Sequence, residues 1–374
     1  MRKIAAIALK EFRQIRRDPL SLVMLLAFPA VMLLLYGYAL NFDVKHVPLA
    51  VQDRSRSAES RDLVAGFTHS IYFDQVADLP PDADFHRLFE RRTAQAILVI
   101  PEGYGRKVGS GRRAPVAFLL DGANASTAAT ILGYASAVVN EANAELFTQT
   151  SNEQNRSFSP PLLYRPRVWY NPELKSTQFL IPGLIGFIMM ITAVLSTALS
   201  IVREKERGTI DQLRITALRP HELILGKTLP YLVISMAAMK IILWAAELLF
   251  GIEVRGSQVD LFLATLIFVI GALGLGLLVS SVSATQAMAF QVGSLLAMLP
   301  TIFLSGFIFP IRNMPLPLQL ITYAFPPRYF LVIMRGVILK GATLLPYLTE
   351  MAFLTLYALV VMTIAYRRLR VGER

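Results

Sequence analysis

Leu20–Phe42 and Phe179–Val202 each pass without one charged side chain, and so do Leu261–Val282 and Gln286–Pro310. A hydrocarbon core about 30 Å thick takes roughly 20 helical residues to cross, so each run is long enough to span it. Two further runs are less pure: Leu229–Phe250 contains Lys240 and Glu247, and Leu344–Tyr366 contains Glu350. The pattern predicts an α-helical polytopic membrane protein with six transmembrane helices. Composition agrees, with 54% of residues hydrophobic and only 17% charged, where soluble domains carry about a quarter of their residues as charges. The first run is longer than the roughly 7–15 apolar residues of a signal peptide and no clear small-residue cleavage site follows it, so it reads as a span.

Lys and Arg are retained on the cytoplasmic side, so their placement in short segments predicts orientation. With the N-terminus inside, the inner pieces 1–19, 203–227, 283–285 and 367–374 hold six, six, zero and four Lys/Arg. The short outer pieces 251–260 and 311–343 hold one and four. Both termini are therefore expected in the cytoplasm. Residues 43–178 then lie outside, and a segment of that length must fold. It holds 15 Lys/Arg and 15 Asp/Glu, so the chain's net charge of +11 comes from elsewhere, chiefly the inner pieces at +4, +2 and +3. That distribution fits a topology signal facing anionic lipid and argues against nucleic acid as a partner. With no cysteine, disulfides, iron–sulfur clusters and thiol catalysis are excluded.

Within 43–178, Val47–Gln52, Gln95–Ile100 and Pro115–Leu120 read as short buried strands, and Ser57–His69, Asp84–Arg92 and Ser126–Phe147 as helices. The alternation predicts an inserted α/β extracytoplasmic domain. Ser151–Pro161 is polar and ends in a Pro pair, the composition of a loop or mobile hairpin. His46, His69 and His86 lack metal-ligand spacing and read as surface or cap residues. Ahead of the first span, Ile4, Ile7, Ala8, Phe12 and Ile15 recur at helical spacing among six cations. They predict a cytoplasmic amphipathic helix over 1–19 lying at the lipid interface, or a simple topology signal.

Several matches to catalytic motifs fail. Gly226-Lys227-Thr228 resembles the end of a phosphate-binding loop, but His221 stands where that loop needs its first glycine. His221-Glu222 begins a zinc-protease pattern that Leu225 breaks. Gly271, Gly274 and Gly276 lie in an apolar span and suit close helix contact, with Ala272 and Gly276 in small-xxx-small register. No catalytic constellation is left.

Three segments are more informative. Arg203-Glu204-Lys205-Glu206-Arg207 sets five alternating charges at the inner end of the second span. Gly208 is expected to end that helix, Thr209 to cap a new one with Gln212 three positions on, and Asp211 to sit in its first turn. Arg219-Pro220 must stop it. Such an elbow suits docking into another protein's groove; a solvated run of charges is the plain alternative. Beyond Pro310, two apolar runs flank Pro326-Pro327-Arg328. Each is too short to cross, so residues 311–342 are expected to form a re-entrant outer hairpin at a pathway mouth. Lys240, near the middle of the third span, is a candidate for the bundle interior or the translocation path, because an ammonium left in lipid costs at least about 2.5–3.5 kcal/mol. Glu247 follows two turns on, roughly 10 Å along the helix and too far for a direct ion pair.

Arg203–Thr209 with Leu225-Gly226-Lys227, and Leu304-Ser305-Gly306-Phe307-Ile308-Phe309-Pro310 with Met314-Pro315 and Arg335-Gly336, resemble the permease subunit of bacterial ABC type-2 exporters. Within that family the chain is most similar to six-span permeases with a large periplasmic domain, used in drug or lipid-like efflux. The resemblance implies a transporter subunit of the bacterial inner membrane, pairing with a second permease. It implies no cofactor on this chain, ATP and Mg being held by separate ATPase subunits, and a membrane-fusion adaptor as a further partner. It makes 203–222 the coupling element, with Glu204, Lys205, Arg207, Gly208, Thr209, Asp211 and Gln212 facing the ATPase. It places Ser305, Gly306, Pro310, Arg328 and Arg335 in the outer gate; Lys240 stands as a path candidate on its depth in the span alone, against a snorkelling or helix-packing role. The competing reading is a membrane-anchored sensor or assembly protein with a ligand-binding outer domain. That reading calls for a cytoplasmic output domain, and no inner piece is long enough to be one.

Overall fold

The computed structural model describes residues 2–39, 44–91, 93–123, 125–153, 170, 175–208 and 219–371. They divide into two units, Met1–Asn41 with Glu173–Arg374, and Phe42–Pro172.

In the first unit, α1 (Arg2–Arg17) and α2 (Pro19–Ala39) are followed by α7 (Ser176–Glu206), α8 (Pro220–Phe250), α9 (Gln258–Val282) and α10 (Gln286–Leu304). A 3-10 turn at Ile311–Asn313 leads into α11 (Leu316–Thr322), α12 (Pro326–Lys340) and α13 (Leu348–Val371). Five of these, α7, α8, α9, α10 and α13, are long and apolar enough to cross a membrane. The 21-residue α2 is also apolar, although the stretch identified in it, Leu25–Ala39, is shorter than a span. The chain is a helical polytopic membrane protein that also carries a small α/β unit.

Helices α7 and α9 form the packed centre. Every residue of α7 from Leu180 to Met190 is buried, and α9 packs on α7 on one side and α13 on the other. The glycines of α9 permit that contact as their spacing predicted. A side chain at Gly276 would meet the Val194 carbonyl of α7, and one at Gly271 would meet Tyr357 of α13. By contrast, α2, α10 and α13 expose apolar side chains, among them Leu35, Leu299, Phe303 and Leu359. Such faces belong against lipid or another chain. Although α12 has only 15 residues, it buries Phe330, Leu331, Met334 and Val337, and Phe330 stacks on Phe268 of α9 at 4.1 Å between ring centroids.

The second unit is a four-stranded sheet of β1 (Val47–Asp53), β2 (Phe73–Asp78), β3 (Ala96–Ile100) and β4 (Ala117–Leu120) in the order β2-β1-β3-β4. Only the β3–β4 pair is antiparallel. Leu49, Leu98 and Ile100 meet Phe67 of α3 (Ala58–Thr68) and Ile131 of α6 (Ala125–Glu153) on one face. Ala50 and Ile97 meet Phe85 and Leu88 of α4 (Phe85–Glu90) on the other. Strands buried on both faces read as continuous apolar runs, so β1 and β3 were visible in the sequence. The edge strand β2 and the six-residue α5 (Tyr104–Gly109) were not. A second difference is that α6 runs on to Glu153, so the expected loop at Ser151–Pro161 begins as helix. Its part beyond Glu153 lies outside the described residues.

Candidate functional site

Helix α7 ends at Glu206 with Arg207 as its C-cap, and Gly208 takes a left-handed φ of 66°. The four charges before the cap reach α1, α8, α9 and α10, and Arg203 shares Gln286 of α10 with Glu206, donating to its Oε1 at 3.4 Å. Arg203 Nη1 lies 3.8 Å from Asp18 Oδ2, at the junction of α1 and α2. Glu204 Oε1 accepts from Lys10 Nζ of α1 at 2.9 Å, and Glu204 Oε2 lies 2.5 Å from Lys227 Nζ of α8. Lys205 donates to the Ser280 and Ser283 carbonyls at the C-terminal end of α9, where a cation offsets the helix dipole. Glu206 accepts from the Gln286 backbone N–H at 2.7 Å and from its side-chain amide, so it caps the N-terminus of α10.

Lys227 also lies 3.3 Å from Glu11 Oε1 of α1. Lys227, Glu11 and Glu204 are all buried. Desolvated charges of this kind are tolerable only when each is paired, and two ammoniums face two carboxylates here. Burial by itself would lower the Lys10 pKa; hydrogen bonding and charge from Glu204, with Glu11 beyond it, outweigh that and hold it above its usual 10.5. Close approach of α1 depends on Gly226, where a Cβ would stand 2.7 Å from Ile7 Cβ. The Gly-Lys pair that failed as a phosphate loop thus has a packing role and a charge role.

Glu204 and Lys205 are committed to contacts inside the chain, and Arg207 and Gly208 are the exposed residues at the elbow. Thr209, Asp211 and Gln212 lie outside the described residues. Lys10, Glu11, Asp18, Lys227 and Gln286 were missed. A signal existed for Glu11, the lone carboxylate among the six cations of α1 and in step with Ile7 and Ile15 at four-residue spacing. That spacing places an acid on the buried stripe of the helix. Beside the cluster, a cavity of about 670 Å³ opens between α1, α2, α7 and α10. Leu25, Phe28, Leu195 and Phe290 wall it, while Lys10, Arg203 and Arg207 line its charged end.

At the far end of α7, Gly183 receives the Phe307 ring and Gly186 receives Leu331 of α12. Phe307 follows a turn in which Ser305 is buried and Gly306 has φ 79°. Arg335 of α12 holds this turn, donating to the Gly306 and Phe307 carbonyls at 2.9 and 3.1 Å with its guanidinium over Phe179. Arg328 fastens α11 to α12, donating to the Gln319 carbonyl at 3.1 Å and to Thr322 while lying 3.6 Å from the Tyr323 ring centroid. Pro310 is exposed just ahead of the 3-10 turn. Lys240 is elsewhere, on the exposed side of α8, where it donates to Gln258 Oε1 at 3.2 Å. No group of acidic and imidazole side chains able to hold a metal ion occurs among the described residues.

The model of the ABC-2 family transporter proteins matches residues 19–367. The chain is 31% identical over its whole length to the probable multidrug ABC transporter permease YbhS of Escherichia coli, covering 97% of that protein. It is 29% identical to the probable multidrug ABC transporter permease YbhR of the same organism, over 95% of this chain and 93% of the relative. The inner membrane transport permease YhhJ is 24% identical over 91% of this chain and 90% of the relative.

Proposed function

The chain belongs to the ABC-2 transporter family and is the permease subunit of an ABC exporter, a transporter whose ATP hydrolysis resides on a separate subunit; we propose that residues 203–222 receive the ATPase stroke and that α7 carries it to the gate. The observation behind this reading is the set of four consecutive charges, Arg203 to Glu206, that ties the end of α7 to α1, α8, α9 and α10. A push on the elbow beyond Arg207 then moves several helix ends together. From Glu204 to Gly183 the same helix runs roughly 30 Å, and there it meets Phe307. One rod joins the charged collar to the turn that Arg335 holds.

In this reading six helices span the bilayer, α2 among them, with both termini and the collar on the ATPase side. The α/β unit lies outside and meets an adaptor. Ser305, Gly306, Pro310, Arg328 and Arg335 build the outer gate. The exposed apolar faces of α2 and α10 meet a second permease. The cavity between α1, α2, α7 and α10 combines apolar walls with a charged end, and the names of two relatives carry multidrug transport. Drugs or lipid-like hydrophobic compounds are accordingly the proposed cargo. ATP and Mg stay on the partner subunits.

Reconstitution with the ATPase and measurement of cargo moved per ATP hydrolysed tests the coupling. Glu206→Lys, at an exposed side chain, removes the two hydrogen bonds from Gln286 to Glu206 and leaves the Arg203 Nε bond to Gln286 Oε1, so insertion and ATP hydrolysis should persist while cargo per ATP falls about tenfold, the size of a coupling energy near 1.4 kcal/mol. An unchanged ratio would overturn the assignment.

A further inference from the structure

Between α8 and α9, under the turn that joins them, lies a cavity of about 350 Å³ that the coupling scheme does not use. It falls in the size range of small-ligand sites, roughly 300–1,000 Å³. Its polar lining is Lys240, Glu247, Glu253, Gln258 and Thr265; its apolar lining includes Leu243, Trp244 and Phe262. Lys240 stands ten residues before the end of α8, about 15 Å along the helix, on a face open to the surroundings. Its ammonium donates to a neutral amide, Gln258. Neither the Glu247 nor the Glu253 carboxylate has a hydrogen-bond or ion-pair partner among the described residues. The cavity therefore presents one cation and two open carboxylates beside an exposed Trp244, the residue type that settles at headgroup depth.

From this arrangement we infer that the cavity binds the headgroup of a phospholipid bearing a primary ammonium. The phosphate takes Lys240, whose charge at this depth has no carboxylate partner. The ammonium donates to Glu247 and Glu253, and the acyl chains follow Leu243 and Phe262. A purely anionic headgroup would set its charge against two carboxylates. A trimethylated choline has no N–H to donate. The chemistry selects a phosphate and a hydrogen-bonding cation in one molecule.

The full-length chain, purified in detergent, is exposed to mixed micelles of phosphatidylethanolamine, phosphatidylcholine and phosphatidylglycerol, and retained lipid is counted by native mass spectrometry. The ethanolamine lipid should be retained about tenfold over the choline lipid, the effect of one charge-assisted hydrogen bond. Lys240→Met should abolish retention. Glu247→Gln with Glu253→Gln, both exposed, should erase the ethanolamine-over-choline preference while phosphate binding remains. That double variant carries the test should Lys240→Met fail to fold. Equal retention of the lipids by the unaltered chain, or a preference unchanged in the double variant, overturns the proposal. Displacement by free phosphoethanolamine at equal concentration also overturns it, by identifying a soluble ligand. So does a cationic amphiphile held regardless of Lys240.

Discussion

Lys227 Nζ lies 2.5 Å from Glu204 Oε2 and 3.3 Å from Glu11 Oε1, so one ammonium joins three helices inside a buried site. Removing it leaves two desolvated carboxylates sharing the half-exposed Lys10. Breaking a buried pair from one side costs about 3–5 kcal/mol, more than most single substitutions. Lys227→Met should therefore lower the thermal unfolding temperature of the purified chain markedly. Adding Glu11→Gln, which discharges one of the stranded carboxylates, should recover part of that loss. Equal melting of the unaltered chain and Lys227→Met would show that the pair contributes nothing.

The spans were legible because charge-free length is a local property of the chain. What the charges at 203–206 do was not, because their partners at 10, 18, 227, 280 and 286 are brought near only by tertiary packing. The start of α8 shows the same limit. The apolar run begins at Leu229, yet the helix begins at Pro220, since Glu222 accepts from the Arg219 N–H at 2.9 Å and Lys227 is neutralised within the fold. In the α/β unit, β2 escaped notice because only Phe73 of its six residues is fully buried. An edge strand facing solvent has no apolar pattern to read.

Arg335 donates to two carbonyls of the Gly306-Phe307 turn from a mostly buried position. Each hydrogen bond from a charged donor is worth about 1.5–3 kcal/mol. Arg335→Met keeps the apolar stem over Phe179 and removes both bonds. The turn should loosen, seen as faster labelling of a cysteine introduced at Phe307 by a water-soluble maleimide in this otherwise cysteine-free chain. Arg335→Lys, which keeps a donor but loses the fork, should label at an intermediate rate. Identical labelling in all three proteins would sever Arg335 from the turn.

For Lys10 the pH dependence follows from the sign of its shift. Its folded pKa lies above the unfolded 10.5 because Glu204 and Glu11 favour the charged form over the opposing effect of burial. The stabilisation is fully present below the unfolded pKa and is lost as pH rises through the folded one. The difference in melting temperature between the unaltered chain and Lys10→Met should thus stay constant from about pH 6 to 9 and shrink only in stronger alkali. A difference that changed sharply near neutrality would assign the effect to another group.

Gly208 follows the Arg207 cap of α7 with φ 66°, and among the described residues nothing lies within 4 Å of a Cβ built there. The left-handed φ therefore sets a conformational cost for a side chain there. A β-branched residue resists the left-handed region, so Gly208→Val should cost about 1–2 kcal/mol locally or let α7 run on past its cap. The second outcome would carry the segment beyond Arg207 in a new direction while leaving Glu204 and Lys205 on their partners. Chain stability should then change little. Cargo moved per ATP should fall, because the elbow would no longer present the same face to the ATPase. Asn at this position tolerates the left-handed region, so Gly208→Asn should retain most of the coupling. If Val and Asn variants transport equally well, the turn at Gly208 does not set the direction of the coupling segment.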